Sequence, residues 1–422
     1  MNSPVKKRIP LRAGVLPSLL SLILLAAISL ALNACGGKLV KETVAESKVA
    51  DAKPAVAPTS LPMWLGNASR NFYGTGPWSA DPLQIVWDFK TQWSSGRLHK
   101  DPWAGSGWPG QPAIVDDRIY FGSTDARVYC LNSKDGSVIW SYKTGDSAKS
   151  SPAVAGDRLV IGNLDNNIYC LNTSDGTLVW KYKTGFETDS SPAIVDNHVY
   201  IGGEDGFYYC LDLKDGAVIY KQPLGGSVEG GSTIVDEKIY VATEAGDLYC
   251  LNREDGTVVW KASIGADSNS TPAVADGYVY TATEDGFVRA YKQADGALVW
   301  THKAEGGLNL KTKEKTGFWA SPVVSRSRVF IGSNNGYLYC LSGKDGKQVW
   351  AHLARAAIWA TSPVVAGRVV FGDKSGWVYA LSAEDGKLVS EIQIGENVDA
   401  TPAILNGRIY VGAFNGKFYC LK

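Results

Sequence analysis

Histidine is nearly missing from this chain. The four copies in 422 residues, His99, His198, His302 and His352, are scattered and share none of the close spacing that a metal site needs. With imidazole so sparse, no nucleophile–base pairing can be read from the sequence, and no catalytic residue is assigned. An excess of charge is missing too. Lys plus Arg and Asp plus Glu both number 42, and no basic patch stands out, which argues against nucleic acid as a partner. Across the repetitive part of the chain no segment keeps a helical period, so an α-rich fold is excluded there. From Lys38 to Pro62 there is no aromatic side chain, only Ala, Lys, Glu, Val, Pro and a few others. Such a stretch cannot bury enough apolar surface to offset ordering and reads as a flexible tether.

What is present is a repeat of forty residues. Cys130, Cys170, Cys210 and Cys250 stand 40 apart, Ala290 takes the next place, and Cys340, Ala380 and Cys420 complete the column. A second column runs Trp140, Trp180, Tyr220, Trp260, Trp300, Trp350 and Ser390, with a polar turn such as Asn132–Gly136 between the two. Within one copy, Pro152-Ala153-Val154, Leu159–Gly162, Ile168–Leu171 and Leu178–Tyr182 read as four strands. They are separated by Gly-Asp, Asn-rich and Asp-Gly turns, whose residues tolerate the positive φ of tight hairpins. Four antiparallel strands that bury a face only by stacking on the next copy make a propeller blade.

The two ends settle the number. The openings Pro112, Pro152, Pro192, Ser232, Pro272, Pro322, Pro363 and Pro402 count eight blades, yet the last copy stops after its third strand at Tyr419-Cys420-Leu421. Val86–Thr91 matches the missing fourth strand, so the expected fold is all-β: one eight-bladed propeller closed by an N-terminal strand on the C-terminal blade. Closure removes the bare sheet edges an open array would carry. The column cysteines invite disulfide or metal readings. Equivalent positions in different blades should lie beyond the ~7 Å Cα limit for a disulfide. Since Ala serves equally well in two copies, buried free thiols are expected and no metal site is assigned.

Upstream, Lys6, Lys7, Arg8 and Arg12 precede an apolar run to Ala34, a secretory pattern. Leu32-Asn33-Ala34-Cys35 resembles a bacterial lipobox, which implies cleavage before Cys35 and lipidation of its thiol; an uncleaved anchor helix or an ordinary signal peptide are the alternatives. The expected organisation is 1–34 signal peptide, 35–62 lipidated tether and 63–422 propeller.

The run Cys130-Leu131-Asn132-Ser133-Lys134-Asp135-Gly136-Ser137-Val138-Ile139-Trp140 resembles the tryptophan-docking motif of quinoprotein-type (PQQ-like) propellers, with Cys for the usual Ala and Asp for the usual Thr. By that resemblance Trp87, Trp140, Trp180, Trp260, Trp300 and Trp350 are structural wedges between blades, and the Tyr220 and Ser390 joints are expected to be weaker. Quinoprotein dehydrogenases add adjacent cysteines, a calcium site and large insertions. Lacking the Cys pair, this chain is expected to be no enzyme and to need no cofactor. Signal, lipobox, tether and single propeller are most similar to the BamB family of lipoproteins. That implies a scaffold in outer-membrane β-barrel assembly, lipid-anchored and facing the periplasm, a monomer within a complex of envelope proteins. The alternatives are a ligand-binding or sensory PQQ-like propeller of another envelope pathway, or, further off, a PQQ-dependent dehydrogenase.

Two connections break the period. Trp87 to Pro112 spans 25 residues and Trp300 to Pro322 spans 22, against 12 or 13 elsewhere. The first carries Trp93, Trp103 and Trp108; the second carries Lys311, Lys313, Lys315, Phe318 and Trp319. Long loops on a rigid scaffold are where binding concentrates. On the same face, ahead of the inner strands, stand Lys149, Asp189, Glu229, Asn269, Trp319 and Asp399, with Trp359 nearby. They form either a pocket for a ligand, cation or peptide at the channel mouth, or a ring of solvated loop residues such as ordinary surface polarity also produces.

Overall fold

The computed structural model describes residues 59–92, 110–304 and 317–422. Blade one sets the pattern: β2 (Ala113–Val115), β3 (Arg118–Ser123), β4 (Arg127–Asn132) and β5 (Val138–Lys143) pair antiparallel in chain order. Strands β6 to β29, from Ala153 to Gln393, repeat it six times. The eighth sheet joins β30 (Ala403–Leu405), β31 (Arg408–Ala413) and β32 (Lys417–Leu421) to β1 (Ile85–Lys90) from the other end of the chain. Trp87 pairs with Cys420 and Lys90 with Lys417, so the ring closes as expected.

Burial explains the sequence pattern of each strand. The third strand, Val128 to Leu131 in β4, is buried throughout because neighbouring blades cover both its faces, so it reads as an unbroken apolar run. The outer strand β5 has a solvent side and alternates after its first two residues. The column cysteines lie in the third strands, each buried and unbridged. Burial pushes their thiols up to about 12 at Cys130, Cys170 and Cys340, which leaves them protonated and inert at neutral pH.

Blade-to-blade packing rests on the second column. The Trp87 ring lies so close to Gly136 that a Cβ there would sit 2.6 Å from a ring carbon, and Gly136 has φ +73°. The turn therefore needs glycine for two reasons, conformation and space. Trp140 covers Gly176 in the same way, and so on round to Trp350 over Gly386. Four of the indole nitrogens then donate to the next blade's turn, Trp140 to the Thr173 carbonyl and Trp180 to the Leu213 carbonyl at 2.9 Å, with Trp260 and Trp300 doing the same to Gln293 and Gly343.

The expectation of a weak joint at Tyr220 needs correction. Its ring covers Gly256, and its hydroxyl donates to the Arg253 carbonyl at 3.1 Å, the same pair of contacts a Trp makes. Ser390 differs for a topological reason. The eighth blade takes its outer strand from the other end of the chain, so no Asp-Gly turn exists there for an indole to cover. Instead, the Ser390 hydroxyl accepts a 2.8 Å hydrogen bond from the Leu83 amide as the chain enters β1.

One feature has no counterpart in the repeat. Residues Leu61 to Trp78 run along the inner strands and fill the channel side of the ring. Leu61 exchanges both backbone hydrogen bonds with Ile114, Pro62 accepts from Val154, and Ala68 accepts from Ile234. Farther round, the Tyr73 hydroxyl bridges the amide and carbonyl of Val324, and the Trp78 indole donates to Val365. Gly74, at φ +134°, passes so near the Ile404 carbonyl that any side chain would collide with it. Inner strands have an unpaired edge facing the channel, and this segment pairs much of it.

Candidate functional site

Among the described residues, the connections from an outer strand to the next inner strand reach one face of the disc, around the channel. There a belt of hydroxyl groups ties successive blades together. The Ser151 hydroxyl accepts from the Gln111 amide at 3.0 Å, Ser191 from Ser151 at 3.1 Å, Ser321 from Thr271 at 2.9 Å, and Thr361 from Ser321 at 3.1 Å. The sequence signal was present, a Ser or Thr just before most of the opening prolines, but it was not read as a site feature. The belt holds the residues two places earlier in each connection at fixed heights around the mouth.

All seven residues expected to ring the mouth line one cavity of about 320 Å³. Lys149, Asp189, Glu229 and Asn269 supply one wall; Trp319, Trp359 and Asp399 supply the other. Trp103 and Trp108 lie outside the described residues, as do Lys311, Lys313, Lys315 and Cys35. The floor is Trp64, from the channel-filling segment, and beneath it Arg70 stands 5.6 Å from the ring.

The walls differ in chemistry. Trp319 and Trp359 stack with centroids 4.1 Å apart and planes 28° from parallel. Lys374 sits 3.2 Å above the Trp359 ring and 3.8 Å from the Asp399 carboxylate, so this half carries aromatic surface and a neutralised ion pair. The other half is acidic and two layers deep. Behind Asp189 and Glu229 lie Glu204 and Glu244, hydrogen-bonded to them respectively, while the Asn269 amide donates to Glu284 at 3.3 Å. Sequence reading missed Glu204, Glu244 and Glu284 because they sit in second-to-third-strand turns, where a carboxylate is unremarkable.

Packing acids together away from water favours the protonated form. Loss of hydration first, and the Asp189 charge next, raise the Glu204 carboxyl to about 8. Glu229 is pushed up to about 10, first by desolvation and then by Asp189 and its bond to Glu244. Asp189 and Glu284 are also raised, again chiefly by desolvation. The consequence for stability has a definite sign. A carboxyl whose folded pKa is raised binds its proton more tightly when folded, so its contribution is full below the ordinary value of about 4.5 and fades as pH climbs through the folded value. Urea unfolding should therefore show stability falling between about pH 5 and pH 9, and Glu229→Gln should flatten that fall. An unchanged slope in that variant counts against the buried acid pair.

The fold and this mouth define a class, the eight-bladed propellers built from quinoprotein-type repeats. A family model described as outer membrane protein assembly factor BamB matches residues 84–236, 209–314 and 303–422, and the chain belongs to that family. Among solved structures it resembles BamB from Moraxella catarrhalis, with TM-score 0.65 and 17% identity over 81% of this chain and 99% of that one. Quinohemoprotein alcohol dehydrogenase from Comamonas testosteroni is also similar, with TM-score 0.71 and 14% identity over 87% of this chain and 81% of that one. At such identities the likeness concerns the fold. A curated relative, quinoprotein ethanol dehydrogenase from Pseudomonas putida, is 56% identical over 34 residues, which span 8% of this chain and only 6% of that enzyme.

The dehydrogenase likeness raises the question of a quinone with its calcium. Pyrroloquinoline quinone is a tricarboxylate, and its carboxylates would meet the unmet oxygen of Asn269 and the carboxyl groups of Asp189 and Glu229, whose further ionisation they would oppose. The two tryptophans stack on one another, which leaves no slot between them for a flat ring. Among the described residues, no three His, Cys, Asp or Glu side chains form a metal-ligand group. The residues present do not fit that cofactor pair.

Proposed function

We propose that this chain is a non-catalytic scaffold lipoprotein of the bacterial envelope, held to the outer membrane through Cys35 and serving the assembly of β-barrel proteins. The reading rests on the match to the BamB family along residues 84–422. It is supported by a closed ring whose stacked tryptophans, Trp319 and Trp359, line the mouth beside charged side chains. Aromatic side chains set among charges on an immobile backbone are typical anchors of protein interfaces. The partner is then an envelope protein of the assembly machinery, bound at the Trp319–Trp359 side of the mouth.

Two variants test the parts separately. Cys35→Ser should release the propeller from membranes into the soluble fraction; persistence in the membrane would point to an uncleaved helix. Trp319→Ala with Trp359→Ala should weaken capture of the assembly machinery from native membranes by about 2 kcal/mol or more, the size of a hot spot. Lys134→Ala should be silent, since Lys134 lies on the opposite face, exposed and paired with Asp117. Full capture by the double tryptophan variant would move the interface elsewhere.

The cavity itself favours a second reading, a ligand-binding propeller of another envelope pathway. In that case Asp189→Ala and Glu229→Ala would abolish ligand binding and leave protein partners in place.

A further inference from the structure

The two halves of the channel mouth are matched to one kind of guest. We propose that the cavity binds an organic cation rich in N–H donors, a guanidinium or alkylammonium group on a flat or apolar body. The cationic group would lie against Asp189, Glu229 and Asn269, and its body on Trp64 and the Trp319–Trp359 stack.

Three observations carry this. The acidic wall leaves acceptors unmet: one carboxyl oxygen of Asp189 and the side-chain oxygen of Asn269 are buried with no hydrogen-bond partner. Buried acceptors left so are costly, and a donor-rich guest relieves them. Next, charge is unevenly spread. Facing the mouth or packed directly behind it are Asp189, Glu204, Glu229, Glu244 and Glu284, with Glu187 and Asp267 adding to their field. Against these stand Lys149, whose charge acts on Asp189, and Lys374, which is engaged with Asp399 and Trp359. Finally, the opposite wall already shows its taste for cations, since Lys374 lies 3.2 Å over the Trp359 ring. A volume of about 320 Å³ suits a guest of arginine-side-chain size and a few waters.

Binding is then linked to protons. The acid pairs hold protons at neutral pH, and an arriving cation favours their ionised form, so binding releases protons and tightens as pH rises. A guanidinium stays charged throughout, which confines the pH effect to the protein. The inference deepens the scaffold reading if the group belongs to a partner's arginine, but it stands on the cavity alone.

Isothermal titration of the full mature chain decides it, with 2-phenylethylguanidinium and the peptide acetyl-Gly-Arg-Gly-amide as probes. The expected result is one site, with affinity rising about tenfold or more from pH 6 to pH 9 and proton release visible as buffer-dependent heat. Asp189→Asn and Glu229→Gln, close to isosteric, should each lose about tenfold at pH 9, and Glu229→Gln should flatten the pH dependence. Trp319→Ala should weaken binding and leave the pH dependence intact. Tighter binding of the peptide supports a partner side chain as the source; tighter binding of the small probe supports a free ligand. The proposal is overturned if neither probe binds at millimolar concentration, if binding does not vary with pH in the unmutated chain, or if only calcium chloride binds. Loss of partner capture in the tryptophan variants with guanidinium binding absent in the unmutated chain would sink this inference and leave the scaffold reading standing.

Discussion

A chain that begins at Gln92 loses its cooperative unfolding transition. The truncation removes β1, which pairs with β32 from Ile85–Leu421 to Lys90–Lys417, and so bares one edge of the eighth blade. Trp87 goes with it, together with its cover over Gly136 and its contacts with Tyr410 and Phe418 at 6.1 and 6.2 Å. The same cut deletes every backbone bond between Leu61–Thr75 and the inner strands. A domain's net stability is only about 5–15 kcal/mol, and these losses fall on both ends of the ring's seam and on its centre. A chain beginning at Pro82 separates the two effects, because it keeps β1 and lacks the channel-filling segment; it should fold, but with a lower urea midpoint. Intrinsic tryptophan fluorescence and circular dichroism followed in urea give the measurement. If the chain from Gln92 unfolds with the same midpoint and slope as the intact propeller, neither closure nor channel filling holds the ring together.

Arg70→Met is expected to cost about 3 kcal/mol or more, from one side chain beneath the floor of the mouth. Arg70 is 2% exposed. Its guanidinium donates to four backbone carbonyls: Trp64 at 2.7 Å, Ser232 at 3.0 Å, Pro192 at 3.1 Å and Ser191 at 3.3 Å. Burial lowers its pKa to about 10, which still leaves it charged at neutral pH. Methionine fills a similar volume and satisfies none of those oxygens, so they stay dry and unpaired. Arg70→Lys should recover little, because an ammonium cannot reproduce a planar fork aimed at four acceptors. A shift in urea midpoint worth less than about 1 kcal/mol in Arg70→Met would show that the segment is only loosely held.

These two expectations also mark where sequence reading succeeded and where it stopped. Ring closure was legible because Val86–Thr91 repeats a pattern seen in other blades, and repetition lets one copy explain another. The Leu61–Trp78 segment has no second copy. Its glycines, Arg70 and Tyr73 follow neither a strand nor a helix period, since each answers a different blade, and Tyr73 meets Val324 some 251 residues away. Tyr220 was misjudged for a related reason. Its hydroxyl reaches the carbonyl an indole would reach, and residue type alone did not show that the two geometries coincide.

At the mouth, Asp189, Glu229 and Asn269 could be placed because they occupy one position in successive copies. Their neighbours Glu204, Glu244 and Glu284 also recur every forty residues, but only the folded ring shows that those turns lie against the connection entering the same blade. The forty-residue period, read without any structure, determined the blade, the count of eight and the closing strand. Tertiary structure alone decided that the channel is lined by the chain's own N-terminal segment, that one wall of the mouth is aromatic and the other acidic, and that Glu204 and Glu229 keep their protons. Strand and turn grammar is local, settled within a few residues. Burial and electrostatic field are sums over groups that meet only once the ring has closed.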